Sequence, residues 1–98
     1  MKLVWSAESI HQIEAITDYI ARDDPNAAYA LADRILSVTE TVLSKHPKAG
    51  RPGRVQGTRE LLVHASYIVA YEITDETIGI LTVRHTARLW PDSLHDTK

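Results

Sequence analysis

The side chains most able to act on a charged substrate are arginines and a histidine that fall into two groups in the second half of the chain. The first group consists of Arg51, Arg54 and Arg59. The second group consists of Arg84, His85 and Arg88. Cleavage of RNA by its own 2′-hydroxyl needs a base, an acid and cations that stabilise the phosphorane. Arginine stays protonated and fits only the last role, whereas His85 and His64 can exchange protons near neutral pH. The two groups could together form a positive site of the size of a phosphate.

A structural interpretation of the same residues stays open beside the chemical one. Each arginine can pair with a surface carboxylate and cap a loop, and His85 can hydrogen-bond within the edge of a sheet. Trp5 and Trp90 lie near the two ends of the chain. We expect both to be core residues, because burial of an indole ring removes a large apolar area from water.

Composition is typical of a single folded domain. The chain has 98 residues, of which 44% are apolar and 24% charged, so one domain over residues 1–98 is expected. The absence of cysteine excludes disulfides and thiolate metal sites and is typical of a reducing compartment. No apolar run is long enough to cross a membrane, and residues 1–20 carry carboxylates where a signal peptide would be apolar. A cytoplasmic protein that does not contact a membrane is therefore expected.

Sequence motifs for cofactors are missing. The chain has no glycine-rich phosphate loop, no zinc-protease motif and no nucleophile elbow. The five histidines lie in different predicted elements, and none forms the i, i+4 pair of a helical metal site. We therefore expect neither a metal nor another cofactor.

Positive charge is concentrated in one segment of an otherwise acidic chain. The 11 basic and 13 acidic residues give a net charge of −2, which argues against a surface built throughout to bind nucleic acid. Residues 47–70 nevertheless contain Lys48, Arg51, Arg54 and Arg59 against Glu60 alone. This segment can meet an anionic partner.

Two helices are predicted after a short strand over residues 2–5. Ser6 is a suitable N-cap for the first helix, and isoleucines follow at helical spacing at positions 10, 13, 16 and 20. Asp24 caps the second helix, which has Pro25 in its first turn and continues to Lys45. Its apolar stripe consists of Ala27, Ala28, Leu31, Ile35, Val38 and Val42. Both stripes are expected to face a core.

The second half of the chain changes to the period of strands. A connector over residues 47–54 has two prolines and two glycines, so it cannot be a helix or a central strand and is expected to run over the surface. Apolar residues then alternate through three segments that are separated by the turns Ala65–Ser66 and Asp75–Glu76. Short turns impose antiparallel pairing. The expected fold is therefore α+β: an N-terminal strand, a helical hairpin and a three-stranded antiparallel meander, with the helices on one sheet face.

The opposite sheet face has no predicted helix to cover it. So short a chain leaves this face available for a segment of a partner protein. Beyond Trp90-Pro91 the regular pattern ends, and residues 92–98 are expected to be a flexible tail.

Three blocks of sequence stand in an order that is specific as a set. They begin at Gly50, Tyr67 and Ile80 and read GRPGRVQGTREL, YIVAY and ILTVRHTARLWP. Together with the N-terminal strand and the helical hairpin, they resemble the RelE/ParE superfamily of bacterial toxins from type II toxin–antitoxin modules. The resemblance extends over nearly the whole chain and implies a single RelE/ParE-like toxin domain over residues 1–98.

The resemblance implies a toxin that inhibits cell growth and that a cognate antitoxin neutralises. In this superfamily the flexible C-terminal part of the antitoxin wraps the toxin, which agrees with the uncovered sheet face. Because the antitoxins repress the operon, the resemblance assigns operator DNA binding to the partner and not to this chain. Arg51, Arg54, Arg59 and Trp90 would bind substrate or antitoxin.

The resemblance leaves two mechanisms open. RelE-type toxins are ribosome-dependent messenger RNA endoribonucleases, and for that activity Arg84, His85 and Arg88 would be the catalytic residues. ParE-type toxins inhibit DNA gyrase and would make this chain a binding protein rather than an enzyme. The sequence favours the second mechanism, because Trp90 stands where a catalytic tyrosine is expected and Gly57-Thr58-Arg59 resembles the strand start of ParE-like members.

Overall fold

The computed structural model of the chain describes residues 1–87, which form two helices and five strands. In chain order these are β1 (Lys2–Trp5), α1 (Ala7–Ala21), α2 (Pro25–Lys45), β2 (Arg51–Pro52), β3 (Arg59–His64), β4 (Tyr67–Thr74) and β5 (Thr77–His85). The predictions for Arg88, Trp90 and the tail 92–98 lie outside the described residues. The expected α+β class and helical hairpin are confirmed.

Both helices begin at the predicted caps. The Ser6 hydroxyl accepts a hydrogen bond from the Ser9 N–H at 3.0 Å, and Asp24 Oδ1 accepts one from the Ala27 N–H at 3.1 Å. The Ser6 hydroxyl also donates to the Leu81 carbonyl oxygen at 2.9 Å. This one side chain therefore starts α1 and attaches it to β5.

The strands form one sheet in the order β1-β5-β4-β3-β2. The predicted meander is confirmed, because β3, β4 and β5 are consecutive antiparallel neighbours joined by the expected turns. The N-terminal strand extends the sheet by pairing parallel with β5. The connector contributes the two-residue edge strand β2. The expectation that the connector lies wholly on the surface is wrong at Gly50, which is buried beneath Tyr71.

The main core lies between the sheet and the helices. It joins Ile13 and Ile35 of the helices to Val69, Tyr71 and Ile80 of the sheet, among other buried residues. A second, smaller cluster of Val55, Ala70 and Leu81 involves the loop before β3. Because Ala70 alternates with Val69 and Tyr71 along β4, this cluster lies on the opposite sheet face. We call this face the helix-free face.

The helix stripes are confirmed only in part. Ile13 is buried, but Ile10 is 41% exposed, and Ser9 takes the inward position one turn before Ile13. A helix turns about 100° per residue, so neighbouring positions 9 and 10 cannot both face the sheet. In α2 the inward positions include Ala28, Ile35, Thr39 and Leu43, while Ala27 is exposed.

Candidate functional site

Glu60 is a buried carboxylate that binds two of the predicted site arginines. Its side chain is 3% exposed and lies 3.5 Å from Arg51 Nη2. Arg54 donates to the same carboxylate from its main-chain N–H at 2.8 Å, from Nε at 3.0 Å and from Nη2 at 3.3 Å. We call Glu60, Arg51 and Arg54 the ion triad.

The charges of the triad determine the ionisation of its carboxyl group. Burial alone would raise the pKa of Glu60, but hydrogen bonds from Arg54 and the positive charges of Arg54 and Arg51 outweigh burial and hold that pKa below its ordinary value. Glu60 is therefore ionised at neutral pH. The two arginines serve first as counter-ions inside the protein, although the Arg51 side chain is still 70% exposed.

Arg59, the third predicted arginine of this group, holds the connector in place. Its Nη1 donates to the Gly50 carbonyl oxygen at 2.6 Å and to the Lys48 carbonyl oxygen at 3.4 Å. The buried Tyr71 hydroxyl accepts from the Gly50 N–H at 2.9 Å and donates to the Pro47 carbonyl oxygen at 2.7 Å. Residues 47–50 are thus fixed to the sheet by two side chains of neighbouring strands.

Close packing at Gly50 depends on the absence of a side chain. A Cβ built at this position would lie 2.7 Å from both the Glu60 carbonyl oxygen and the Tyr71 hydroxyl oxygen. Burial raises the pKa of Tyr71, and the hydrogen bond from Gly50 and the charge of Arg59 counteract only part of that effect. The Tyr71 hydroxyl therefore stays protonated and acts as a fixed hydrogen-bonding group.

The strand register places Arg84 on the same face as the ion triad. Arg84 is opposite Ile68, and Thr82 is opposite Ala70, which in turn is opposite Glu60. Standard strand spacing and rise put the Cα atoms of Glu60 and Arg84 about 12 Å apart. The Arg84 Nε donates to the Thr82 hydroxyl at 3.4 Å. The helix-free face therefore brings together Arg51, Arg54 and Arg84.

The other predicted residues lie elsewhere. His85 follows Arg84 along the strand and so points to the helix side, and Arg59 is opposite the core residue Tyr71. Arg88 and Trp90 are outside the described residues. Leu62, which is 61% exposed, adds an apolar side chain to the helix-free face beside the arginines.

Three aromatic or imidazole rings form a cluster at one end of the sheet on the helix side. The Tyr67 ring centroid lies 5.9 Å from that of His64 and 5.4 Å from that of His85. Each histidine accepts a hydrogen bond at Nδ1, from the Ser66 N–H or the Ala87 N–H, both at 3.1 Å. A neutral imidazole that accepts at Nδ1 carries its proton on Nε2. We call His64, Tyr67 and His85 the ring cluster.

An open groove of about 730 Å³ adjoins the ring cluster. Tyr67, Val83 and His85 line it from the sheet, and Ile16 and Tyr19 are among the residues that line it from α1. Within residues 1–87, no group of three or more His, Cys, Asp or Glu side chains is placed to hold a metal ion. The groove therefore offers hydrogen-bonding rings beside an apolar wall.

Sequence reasoning missed Glu60, Tyr67 and Tyr71 as members of the site. Glu60 was visible as the lone acid in a cationic segment, which is a signal for an internal counter-ion. Tyr67 and Tyr71 fit the apolar alternation of a strand, and nothing else in the sequence distinguishes them. Their roles depend on contacts with residues far along the chain.

Comparison with known proteins identifies the family. A sequence model described as ParE toxin of type II toxin-antitoxin system, parDE, matches residues 3–90. The chain belongs to this toxin family. It is 37% identical over 94 residues to the putative toxin Y4kP of Sinorhizobium fredii, covering 95% of this chain and 96% of the relative. Toxin RelE2 of Caulobacter vibrioides is 33% identical over 88 residues, covering 90% and 98%.

Solved structures share the fold of this ParE-family toxin. A chain from the chromosomal ParDE TA system of P. aeruginosa superposes with a TM-score of 0.77 at 25% identity, covering 87% of the toxin and 95% of that chain. A chain of the RelBE2 toxin–antitoxin complex of Mycobacterium tuberculosis gives a TM-score of 0.57 at 24% identity, covering 86% and 95%. Among the described residues of the toxin, neither helix is long and apolar enough to span a membrane.

Proposed function

We propose that this ParE-family toxin inhibits DNA gyrase in the cytoplasm and is neutralised by a cognate antitoxin. The observation that carries the proposal is that the arginines of the first group contact other groups of the same protein. Arg54 and Arg51 neutralise the buried Glu60, and Arg59 holds main-chain carbonyls. Because Arg54 and Arg59 bind groups of the protein itself, they contribute little to the binding of RNA phosphates, which needs several Lys or Arg contacts.

The helix-free face supports binding to a protein target. Leu62 and the Arg51 side chain are exposed there, and exposed apolar side chains beside arginines are typical of protein interfaces. The ion pair with Glu60 at 3.5 Å favours one orientation of the Arg51 side chain, which reduces the side-chain entropy lost on binding. The same face, including Arg84, suits an acidic segment of the antitoxin, and the antitoxin would then inhibit the toxin by covering the surface that meets gyrase.

The test is a supercoiling assay with purified toxin, with and without its antitoxin. We expect inhibition of gyrase by the toxin and relief by the antitoxin. Leu62→Glu should weaken inhibition by about tenfold or more, since an interface hot spot contributes at least ~2 kcal/mol. Leu36→Glu on α2 is the matched control, because Leu36 is also exposed but lies outside the helix-free face. Unaffected gyrase at a stoichiometric excess of toxin would exclude this function.

The ring cluster favours a second candidate function, a ribosome-dependent endoribonuclease. Two imidazoles that flank a phenol supply the acid and base groups that cleavage by the 2′-hydroxyl requires. Arg84 also lines the groove that adjoins the ring cluster, and a cation there can stabilise charge on the phosphorane. In this mechanism one histidine takes the 2′-hydroxyl proton and the other protonates the leaving 5′-oxygen.

Messenger RNA mapping in a translation extract tests the second candidate. Codon-phased cuts should appear with the wild-type toxin and disappear with the double variant His64→Gln/His85→Gln. His11→Gln on the exposed surface of α1 is the control and should retain cleavage. Intact transcripts beside inhibited gyrase would exclude the nuclease and support the first proposal.

A further inference from the structure

A second groove lies at the end of the sheet opposite the ring cluster. It has a volume of about 760 Å³. Ile73 lines it near the end of β4, six residues from Tyr67 at the start of that strand. A strand of that length separates the two positions by about 20 Å. The groove is therefore distinct from the ring cluster and from its adjoining groove.

The lining of this groove combines apolar side chains with cationic ones. Aliphatic groups of Met1, Pro47, Ala49 and Ile73 contribute apolar surface. The remaining lining residues are polar or charged: Lys45, His46, Lys48 and Asp75. We call this surface the lysine groove.

The two lysines have no carboxylate partner in the described part of the chain. Both ion pairs found in residues 1–87 involve Glu60. Lys45 and Lys48 are exposed, and Asp75 is the one carboxylate in the lining. The lysine groove thus carries an excess of positive charge on a chain whose net charge is −2.

One wall of the lysine groove is held in place by the buried Tyr71 and the half-buried Arg59. The Tyr71 hydroxyl binds the Pro47 carbonyl oxygen, and the Arg59 guanidinium binds the carbonyl oxygens of Lys48 and Gly50. The Ala49 N–H donates to the His46 carbonyl oxygen at 3.0 Å. A surface that is fixed before binding loses less conformational entropy when a ligand arrives.

We propose that the lysine groove binds a short acidic segment of a partner protein. One apolar side chain of that segment packs against Pro47 and Ile73, and flanking carboxylates meet Lys45 and Lys48. The lining supplies complementary charge at its rim and aliphatic surface for an anchor, the combination that such a peptide needs. Single-stranded nucleic acid is a poorer match, because the groove lining has no Phe, Tyr or Trp side chain on which successive bases could stack.

The probe for this proposal is a capped peptide with one leucine between two pairs of glutamates. It is titrated into ¹⁵N-labelled full-length toxin, and amide shifts are followed by NMR. We expect shifts in residues 45–49 and 73–75 and none in the ring cluster. A peptide with serine in place of the leucine, and one with lysine in place of the glutamates, should bind at least fivefold more weakly.

Charge-reversal variants test the role of the lysines. Lys45→Glu and Lys48→Glu should each weaken binding of the leucine peptide by about three- to tenfold, as expected for loss of one exposed ion pair and addition of a repulsion. Arg22→Glu, which makes the same charge change at an exposed position near the other groove, is the matched control and should bind like the wild type. All three side chains are exposed, so the fold should survive each substitution.

Several results would overturn the proposal. They are an absence of shifts at millimolar peptide, shifts centred away from residues 45–49, and equal weakening by Arg22→Glu, which would indicate only a response to net charge. Tighter binding of oligouridylate or of phosphatidylglycerol vesicles at the same residues would assign the groove to a nucleic acid or a membrane instead. None of these outcomes depends on whether the toxin inhibits gyrase.

Discussion

Glu60→Gln should destabilise the toxin at neutral pH by removing the negative charge of the ion triad. Gln keeps the shape and one acceptor oxygen, but Arg54 loses a charged partner that receives three of its hydrogen bonds, and Arg51 loses its ion pair. A hydrogen bond to a charged group contributes about 1.5–3 kcal/mol, and complete disruption of a buried pair costs about 3–5 kcal/mol. Both arginines can regain water, so we expect a loss of about 1–3 kcal/mol.

The pH dependence of this loss distinguishes charge from packing. Because the folded pKa of Glu60 is below its ordinary value of 4.5, the ionised carboxylate stabilises the fold above pH 4.5. That stabilisation is lost as the pH falls through the folded pKa. The difference in unfolding free energy between wild type and Glu60→Gln should therefore be constant near pH 7 and shrink towards zero in acid.

Urea denaturation followed by circular dichroism, at several pH values from 3 to 8, measures this difference. Glu14→Gln on the exposed face of α1 is the control, and it should stay within about 0.5 kcal/mol of wild type. A Glu60→Gln protein as stable as wild type at pH 7 would refute the argument. So would a destabilisation that persists undiminished at pH 3, since that would reflect altered packing.

Substitutions at three further positions probe the groups that fix the connector and the first helix. Tyr71→Phe should cost about 1–3 kcal/mol in urea denaturation, because the Gly50 N–H and the Pro47 carbonyl lose a partner, while the exposed Tyr19→Phe should cost almost nothing. Gly50→Ala should cost about 1–3 kcal/mol in thermal unfolding, because the methyl carbon would lie 2.7 Å from neighbouring oxygens, and an unchanged melting temperature would show that the connector can shift freely. Ser6→Ala should cost about 1–2 kcal/mol and Ser6→Thr less, and equal losses would indicate that the hydroxyl contributes nothing.

The sequence indicates which types of residue are present near the candidate site, but it does not show which side chains contact one another there. The sequence places arginines on the connector and on the last strand, and three of them do lie on one sheet face. The lone acid Glu60 in that segment is a signal for a counter-ion, but the sequence does not show which arginines it neutralises, because those contacts require the connector to fold back against β3. The sequence does not predict the ring cluster either, since His64 and His85 approach Tyr67 from two neighbouring strands.

Local signals in the sequence determined the elements and their order. The Ser6 and Asp24 caps, the proline in the first turn of α2 and the turns between the strands act within a few residues, so their effects can be read along the chain. Tertiary structure alone decided the parallel pairing of β1 with β5, the exposure of Ile10 and the pinning of Pro47 by Tyr71, 24 residues away. Those outcomes depend on which segments pack together, because burial and charge neutralisation act on groups that are neighbours in space rather than in sequence.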